Sequence, residues 1–237
     1  PAYLRDGIAI THDGIDAQAL QPDSGASMRV GENGPYLSRA EPVVTYATRH
    51  IEPMRGSHVV FRALPDLLDL DPRLRVVIIG GNSVSYSARP PEGSTWSDVF
   101  RSRIAAPVDW TRVHFVGQLP YPQFVRVLQL SAAHLYLPYP FVLSWSLIEA
   151  MALECRIIAS ATPPVEEVIR PRETGLLFPF FDEEELVAQV RHVLQHPDEA
   201  AAMGRGARVA AMERFDFQTA TLPRWREFLG VPAARGG

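Results

Sequence analysis

Short apolar runs alternate with longer amphipathic stretches along the chain from residue 43 onward. The short runs are rich in β-branched residues and apolar throughout, as expected of parallel strands that are covered on both faces. The stretches between them show the apolar periodicity of helices. The alternation predicts a three-layer α/β domain with a parallel sheet of about six strands. We predict strands at residues 43–48, 75–80, 113–117, 134–139, 156–160 and 175–180, and helices at 56–69, 95–105, 121–132, 144–154, 164–170, 182–196, 198–214 and 217–229.

The first 42 residues do not continue this pattern. Residues 8–10 are compatible with one strand, whereas residues 21–42 are rich in Pro, Gly, Ser and Asn and have little periodicity, which is typical of a linker. A lone strand before a linker cannot form a core of its own. We therefore expect three parts: the end of a missing N-terminal domain with an interdomain linker over 1–42, a folded domain over 43–230, and a disordered tail over 231–237.

Charge and composition exclude several classes of protein. The formal net charge is −4, which does not suit a surface that follows nucleic-acid phosphates. All 23 basic residues are Arg, because the chain contains no Lys. A lysine Schiff base and a Walker-type phosphate loop are therefore excluded. The lone cysteine, Cys155, cannot form an internal disulfide, so we expect a cytoplasmic protein.

The hydrophobic runs are short. None approaches the roughly 18 residues of a membrane span, and no signal-peptide pattern opens the sequence. We expect no membrane span, an expectation that remains compatible with attachment of the full-length protein to the periphery of the inner membrane.

Two arginines follow the first predicted strand. In an open parallel sheet, ligands bind beyond the carboxyl ends of the strands, where helix N-termini direct their unpaired N–H groups. Arg49 lies at such a strand end, and Arg55 lies where the next helix begins. Because guanidinium groups bind phosphate oxygens through paired hydrogen bonds, the two residues predict a diphosphate site. The alternative is that both are surface charges paired with Glu52.

A second candidate site follows the fourth predicted strand. Ser144 is placed to cap a helix whose first turn offers the N–H groups of residues 145–147 to an anion. Glu149 lies one turn further along this otherwise apolar helix, where a buried carboxylate needs hydrogen-bond donors. A pair of ribose hydroxyls would supply them. The alternative is an ion pair between Glu149 and an Arg of a neighbouring element.

Other motifs carry weaker signals. Gln118 and Leu119 follow the third strand, where backbone polar groups could meet the edge of a nucleobase. The Asp-Leu-Asp motif at 69–71 matches a metal-binding pattern, but it lies between a helix C-terminus and a strand start, at the wrong edge of the sheet. We therefore predict no metal site. A Pro-rich stretch at 83–95 is predicted to be an exposed loop after the second strand.

In this order, the motifs resemble the C-terminal domain of a family 4 (group 1) retaining glycosyltransferase of the GT-B fold. The resemblance runs from about residue 8 to residue 229 and implies a Rossmann-like domain that binds a nucleotide sugar. The motifs that carry it are the 10–16 segment, Arg49, Arg55-Gly56, and the segments 113–117, 147–152, 165–169 and 175–178.

The resemblance implies a role for each candidate residue. Arg49 and Arg55 would hold the donor diphosphate, with Arg55 in place of the usual Lys, and Glu149 would bind the ribose hydroxyls. These three form the predicted catalytic set. The other predicted donor-binding residues are Gln118 and Leu119 at the base, Phe141 at the sugar, and Ser144, Trp145 and Ser146 at the phosphates.

The implied reaction transfers a sugar, with retention at the anomeric carbon, from a UDP-, GDP- or ADP-sugar to an acceptor hydroxyl. No resident cofactor is expected, because the nucleotide sugar is a substrate. The acceptor, a glycan, a lipid or a small molecule, would bind the missing N-terminal domain, so we expect this fragment alone to be inactive. Polysaccharide biosynthesis is the expected setting.

Two positions depart from the family pattern. Phe141 stands eight residues before Glu149, where the family usually carries a glutamate that contacts the donor sugar, and a phenyl ring cannot accept hydrogen bonds from hydroxyls. The spacing from Arg49 to Arg55 is one residue longer than the common form. Phe141 favours the alternative of a non-catalytic nucleotide-sugar-binding domain. A GT-B nucleotide-sugar epimerase is a further alternative, whereas a pyridoxal-dependent phosphorylase would need a Lys.

Overall fold

The computed structural model describes residues 10–31 and 34–231. Within them the strands are β1 Ser27–Arg29, β2 Tyr36–Ser38, β3 Val43–His50, β4 Arg75–Gly81, β5 Val113–Gly117, β6 Ala133–Tyr136, β7 Ile157–Ser160 and β8 Leu176–Phe178. The helices are α1 Ser57–Asp69, α2 Trp96–Ser102, α3 Tyr121–Leu130, α4 Trp145–Ala152, α5 Pro163–Glu166, α6 Glu183–Gln195, α7 Pro197–Phe215 and α8 Leu222–Leu229. Short 3-10 turns cover Pro53–Arg55 and Trp110–Arg112, and a π-helical turn covers Phe217–Thr221.

Six parallel strands form the central sheet in the order β5-β4-β3-β6-β7-β8. Strands β4 and β5 are added in turn on one side of β3. The chain then returns to the centre, where β6 pairs with the other side of β3, and β7 and β8 extend the sheet in that direction. The segments that follow β3 and β6 therefore leave in opposite directions and open a crevice at the carboxyl edge of the sheet. The predicted Rossmann-like parallel sheet is confirmed.

Helices cover both faces of this sheet. Leu67 of α1 and Val190 of α6 belong to one buried cluster, and Met151 of α4 and Ala207 of α7 belong to another. Strands covered in this way have no face open to solvent, which explains the nearly continuous apolar runs in the sequence. Within the described residues, no helix combines the length and the apolar character needed to span a bilayer.

The predicted strands and helices are present, and several are shorter than expected. Strand β6 ends at Tyr136, three residues early, because Pro138 and Pro140 have no N–H group to extend the ladder. The helix predicted over 217–229 begins as a π-helical turn, in which Asp216 accepts a hydrogen bond from the Thr219 N–H at 2.9 Å. The regular helix α8 follows this turn.

Residues 21–42 contain a hairpin where the sequence predicts a linker. Strands β1 and β2 pair in antiparallel fashion, and Ala26, Val30 and Leu37 are buried in a cluster with residues of the sheet and α3. The linker prediction is wrong for this segment. Each strand has only three residues, too few to show an alternating pattern in the sequence.

The N-terminal segment is attached to the C-terminal helices. The Ile15 N–H donates to the Phe215 carbonyl at 2.9 Å, and the Phe217 N–H donates to the Ile15 carbonyl at 2.8 Å. Of the strand predicted at 8–10, residues 8 and 9 lie outside the described residues, and Ile10 is not part of a strand. The tail predicted over 231–237 also lies outside them, except for its first residue.

A polar cluster is buried between β3 and β6. Thr45 Oγ1 hydrogen-bonds with Ser131 Oγ at 2.8 Å and with His134 Nδ1 at 2.9 Å. All three residues are fully buried. Burial lowers the pKa of His134 from 6.5 to about 4, so this imidazole is neutral at pH 7.

We expect His134 to make stability depend on pH. Between its unfolded pKa of 6.5 and its folded pKa of about 4, only the unfolded chain binds the proton, so the free energy of unfolding falls as the pH drops through this range. From pH 7 to pH 5 the loss due to His134 is about 2 kcal/mol. Urea denaturation of the unmodified chain and of His134→Gln at both pH values measures it. Equal losses in the two proteins would contradict the shifted pKa.

Candidate functional site

A pocket of about 620 Å³ lies at the carboxyl edge of the sheet, where β3 and β6 diverge. Its volume is in the range of small-molecule and cofactor sites, about 300–1,000 Å³. Seven of the nine predicted site residues line it, namely Arg49, Arg55, Gln118, Leu119, Phe141, Ser144 and Ser146. The topology therefore brings together candidates that the sequence places after three different strands.

A tight turn carries Arg55 into this pocket. Gly56 has a left-handed φ of 73°, and a Cβ atom at this position would lie 2.3 Å from the Leu137 carbonyl oxygen. Only glycine allows this close approach to the segment after β6. The Tyr46 hydroxyl fixes the same turn by donating to the Arg55 carbonyl at 2.6 Å.

Aromatic rings and one carboxylate surround the Arg55 guanidinium. Its central carbon lies 5.0 Å from the centre of the Tyr86 ring and 5.9 Å from that of Phe141, within cation–π distance. Its Nε lies 3.9 Å from Glu52 Oε1, an ion pair without a hydrogen bond. The alternative of a pairing with Glu52 is thus present for Arg55, but it leaves the guanidinium able to donate to a ligand.

Arg49 differs from Arg55 in its surroundings. Its side chain is exposed at the pocket wall, and within the described residues it makes no ion pair. Its carbonyl accepts a hydrogen bond of 3.4 Å from Gln118 Nε2, which connects the end of β3 to the segment after β5. The surface pairing of Arg49 with Glu52 is not observed.

The start of α4 forms another wall. Ser144 is the N-cap, as predicted, and its Oγ accepts the Ser146 N–H at 3.3 Å. The Leu147 N–H donates to the Ser144 carbonyl at 3.1 Å. Of the three N–H groups expected to face an anion, two are therefore bonded within this turn, and Trp145 is the residue whose N–H has no acceptor within the described chain. The Trp145 side chain is exposed and does not line the pocket.

Glu149 lies behind the pocket wall. It is half-buried on α4, and its Oε1 accepts a hydrogen bond of 2.9 Å from the hydroxyl of Tyr121, whose ring lines the pocket. Burial raises the pKa of Glu149 and the Tyr121 hydrogen bond opposes this effect. The alternative of an ion pair with a neighbouring Arg is not found among the described residues.

Three residues of the site were missed in the sequence. Tyr86, in the loop predicted at 83–95, and Tyr121, which follows the Gln118-Leu119 motif, line the pocket. Glu52, which the sequence suggested only as a partner of the arginines, lies beside Arg55. All three lie beyond the carboxyl ends of strands. The rule that selected Arg49 and Arg55 could therefore have selected them also.

The Asp-Leu-Asp motif at 69–71 and a Gly-Arg-Gly motif at 204–206 both lie outside the pocket. Asp71 accepts hydrogen bonds from Arg73 Nε at 3.2 Å and Nη2 at 2.8 Å, just before β4 begins. Gly204 and Gly206 lie in α7, where Cβ atoms would come within 2.5 Å and 2.3 Å of the carbonyl oxygens of residues 154 and 173. These glycines serve close packing of a helix.

A family model described as glycosyl transferases group 1 matches residues 35–210. The chain belongs to this family. The match includes β2 of the hairpin, the residues that line the pocket, and most of α7. The group 1 assignment agrees with the predicted resemblance, and the fold is that of the C-terminal domains of GT-B glycosyltransferases.

Known proteins similar to this glycosyltransferase chain are distant in sequence. The D-inositol 3-phosphate glycosyltransferase of Rhodococcus jostii is 27% identical over 202 residues, which cover 84% of this chain and 42% of that protein. The solved sucrose-phosphate synthase of Thermosynechococcus elongatus has a TM-score of 0.72 at 24% identity, with 97% of this chain and 55% of that chain covered. Anabaena HepE, solved with UDP-glucose, also has a TM-score of 0.72, at 16% identity and with 94% and 57% covered. The chain thus spans less than half the length of the Rhodococcus jostii protein. The two solved structures share the fold of this chain.

We expect Gly56→Ala to destabilise the domain more than Gly93→Ala. Both glycines have a positive φ, 73° and 78°, but an added Cβ meets the Leu137 carbonyl at Gly56 and open space at Gly93. Gly93→Ala should lose about 1 kcal/mol from backbone strain, and Gly56→Ala about 1–3 kcal/mol more from the steric clash. Urea denaturation measures both. Equal losses in the free energy of unfolding would contradict the prediction, because they would mean that the backbone at Gly56 and Leu137 moves apart at no cost.

Removal of the Tyr121 hydroxyl is expected to raise the pKa of Glu149 further. In Tyr121→Phe the carboxylate stays half-buried but loses the hydrogen bond that lowers its pKa. NMR titration of the glutamate side-chain carboxyl carbons measures the change. Tyr36→Phe is the matched control, because it removes a hydroxyl that hydrogen-bonds with Ser27 in the hairpin. An unchanged titration of Glu149 would contradict the Tyr121 contact.

Proposed function

We propose that the protein transfers a sugar, with retention, from a nucleotide-diphosphate sugar to an acceptor hydroxyl, and that this chain is the donor-binding half. The observation that carries the proposal is the convergence of Arg49 and Arg55 on one pocket at the point where the strand order reverses. Nucleotides bind at such points in open parallel sheets because strand ends and helix N-termini meet there. The group 1 glycosyltransferase family match supports the transferase class.

In this proposal the diphosphate lies between the arginines and the start of α4. Arg49 has no carboxylate partner among the described residues, and Arg55 meets Glu52 only at 3.9 Å. Both therefore keep hydrogen-bond donors for phosphate oxygens. The Trp145 N–H adds a donor at the positive end of the α4 dipole.

The nucleoside would occupy the wall between β5 and α3. Gln118 and Leu119 line this side of the pocket and are proposed to meet the base. Glu149 is proposed to accept hydrogen bonds from the ribose hydroxyls, a role that requires the Tyr121 hydroxyl to share the carboxylate or to move from it. Phe141 and Tyr86 would then lie near the donor sugar.

The proposed chemistry rests on charge stabilisation. As the bond between the sugar and the diphosphate breaks, negative charge grows on the leaving phosphate. The guanidinium groups of Arg49 and Arg55 stabilise that charge without having to reorganise. Loss of one such donor typically lowers the rate by about 10²- to 10³-fold. The nucleotide sugar is a substrate here, and we propose no resident cofactor.

The acceptor is proposed to bind outside this chain. The chain covers 42% of the D-inositol 3-phosphate glycosyltransferase of Rhodococcus jostii and 57% of HepE, which leaves room in such proteins for a second domain. A glycan, a lipid or a small molecule with a free hydroxyl is the proposed acceptor class. We expect this chain alone to bind nucleotide and to lack transferase activity.

One observation favours a second function. Phe141, where a sugar-binding carboxylate is expected, is 40% exposed and faces Tyr86 with ring centres 4.9 Å apart. The phenyl ring of Phe141 offers no hydrogen bonds to sugar hydroxyls, so the domain would then bind the donor without supporting transfer. Nucleotide release by the full-length protein, measured with and without candidate acceptors, separates the two functions. Release that depends on an acceptor identifies the transferase.

Binding of a nucleoside diphosphate is expected to raise the melting temperature of this chain. A ligand that binds only the folded state stabilises it. A thermal-shift panel of UDP, GDP and ADP, each with and without an attached sugar, identifies the base. If none of them raises the melting temperature, the proposed donor site is wrong.

We expect Arg55→Ala and Glu149→Ala each to weaken binding of the nucleoside diphosphate by about 10- to 100-fold, because each removes a charged hydrogen-bonding group. Calorimetric titration measures the dissociation constants. Arg73→Ala and Glu167→Ala are the matched controls, since they remove the same charges at exposed positions outside the pocket. Unchanged affinity in both site variants would contradict the proposed roles.

A further inference from the structure

Glu52 is a fully buried acidic residue beside the proposed diphosphate site. Its carboxylate accepts hydrogen bonds from the N–H groups of Ser85, Tyr86 and Ser87 at 3.1, 3.2 and 3.0 Å, and from the Ser85 hydroxyl at 2.6 Å. Burial opposes its ionisation, but these hydrogen bonds outweigh that effect and hold the pKa of Glu52 below its usual range. A buried anion with four donors is therefore built into the fold.

These contacts tie two distant segments together. The backbone of Glu52 is fixed by its own N–H, which donates to Ser57 Oγ at the start of α1. The loop is held a second time where the Met54 N–H donates to Ser87 Oγ at 3.1 Å. The 85–87 segment, which follows β4, is thereby anchored to the turn that carries Arg55.

The anchored segment places Tyr86 against Arg55. The Tyr86 ring lies 5.0 Å from the guanidinium carbon and 4.9 Å from the Phe141 ring. Arg55 Nε also lies 3.9 Å from Glu52 Oε1 and makes no hydrogen bond within the described chain. The direction of the Arg55 side chain is thus set by Glu52 and by a ring that Glu52 holds in place.

We propose that Glu52 is a positioning residue for donor binding, which anchors the 85–87 loop so that Tyr86 and Glu52 together hold Arg55 towards the diphosphate. This inference rests on the proposed function, because it assigns Arg55 to the diphosphate. Glu52 itself touches no substrate. It acts through Arg55, and its effect on nucleotide affinity depends on that side chain.

The negative charge of Glu52 acts in the opposite direction, since a carboxylate near Arg55 competes with phosphate for the cation. Two features limit this competition: the 3.9 Å separation without a hydrogen bond, and the four donors that already stabilise the carboxylate. The positioning effect therefore dominates, and removal of the charge should weaken binding.

Calorimetric titration with UDP, GDP and ADP tests the proposal on the unmodified chain, Glu52→Gln, Arg55→Ala and the double variant. We expect Glu52→Gln to weaken binding about tenfold, in the range of couplings between contacting residues. In the Arg55→Ala background the same substitution should have no further effect, because the side chain that Glu52 positions is gone. A purely structural role would weaken binding equally in both backgrounds.

Glu41→Gln is the matched control. Glu41 also accepts hydrogen bonds from a backbone N–H and a hydroxyl, both of Ser38, but it lies beside the hairpin and outside the pocket. Its substitution should lower the melting temperature and leave nucleotide affinity unchanged. If Glu52→Gln does not fold, Ser85→Ala removes one of the four donors, and it should weaken binding about threefold in the unmodified background alone.

The outcomes separate the inference from the proposed function. Equal or tighter binding by Glu52→Gln, or the same weakening in both backgrounds, overturns the role of Glu52 and leaves the donor site intact. A chain that binds none of the three nucleotides overturns both. A weakening that disappears with Arg55→Ala supports the proposal.

Discussion

The parallel pairing of β3 and β6 at the centre of the sheet is the constraint on which the pocket depends. Because the chain builds outward from these strands in opposite directions, the segments that follow them separate and leave a crevice. Gly56 then lets the turn after β3 come close to the segment after β6. Without this approach, Arg55 would have no fixed position relative to α4.

The second determinant of the site is the orientation of the positively charged side chains at the edge of the pocket. The chain has no Lys, so the proposed phosphate contacts fall to guanidinium groups, which are planar and need a defined orientation. For Arg55, the hydroxyl of Tyr46 and the buried carboxylate of Glu52 supply that orientation. Tyr46 donates to the carbonyl of Arg55, and Glu52 holds the loop that carries Tyr86. The Tyr136 hydroxyl accepts the Ser144 N–H at 3.1 Å and so positions the start of α4.

Two glutamates at this edge of the sheet, Glu52 and Glu149, differ in pKa because their surroundings differ. Glu52 is fully buried, yet four hydrogen bonds keep its pKa low. Glu149 is half-buried with one hydrogen bond from the protein, and its pKa is raised. Burial raises the pKa of both carboxyls, and the four donors at Glu52, against one at Glu149, bring only the pKa of Glu52 below its usual range. Glu149 therefore has unused acceptor capacity, as a residue that binds ligand hydroxyls would need, whereas Glu52 is already satisfied by the fold.

The sequence by itself determined the parallel sheet, because continuous apolar runs of strand length that alternate with amphipathic helices are typical of strands covered on both faces. The sequence also predicted that Arg49, Arg55 and the Ser144 cap lie at one edge of the sheet. The order of strands and helices is enough for this prediction, because ligands bind beyond the carboxyl ends of parallel strands. Tertiary structure alone decided the contacts between distant segments: Tyr86 with Arg55, Tyr121 with Glu149, and the burial of the hairpin. The physical reason is that such contacts depend on how loops fold over the sheet. Periodicity and propensity are local properties of the sequence and do not predict contacts between distant segments.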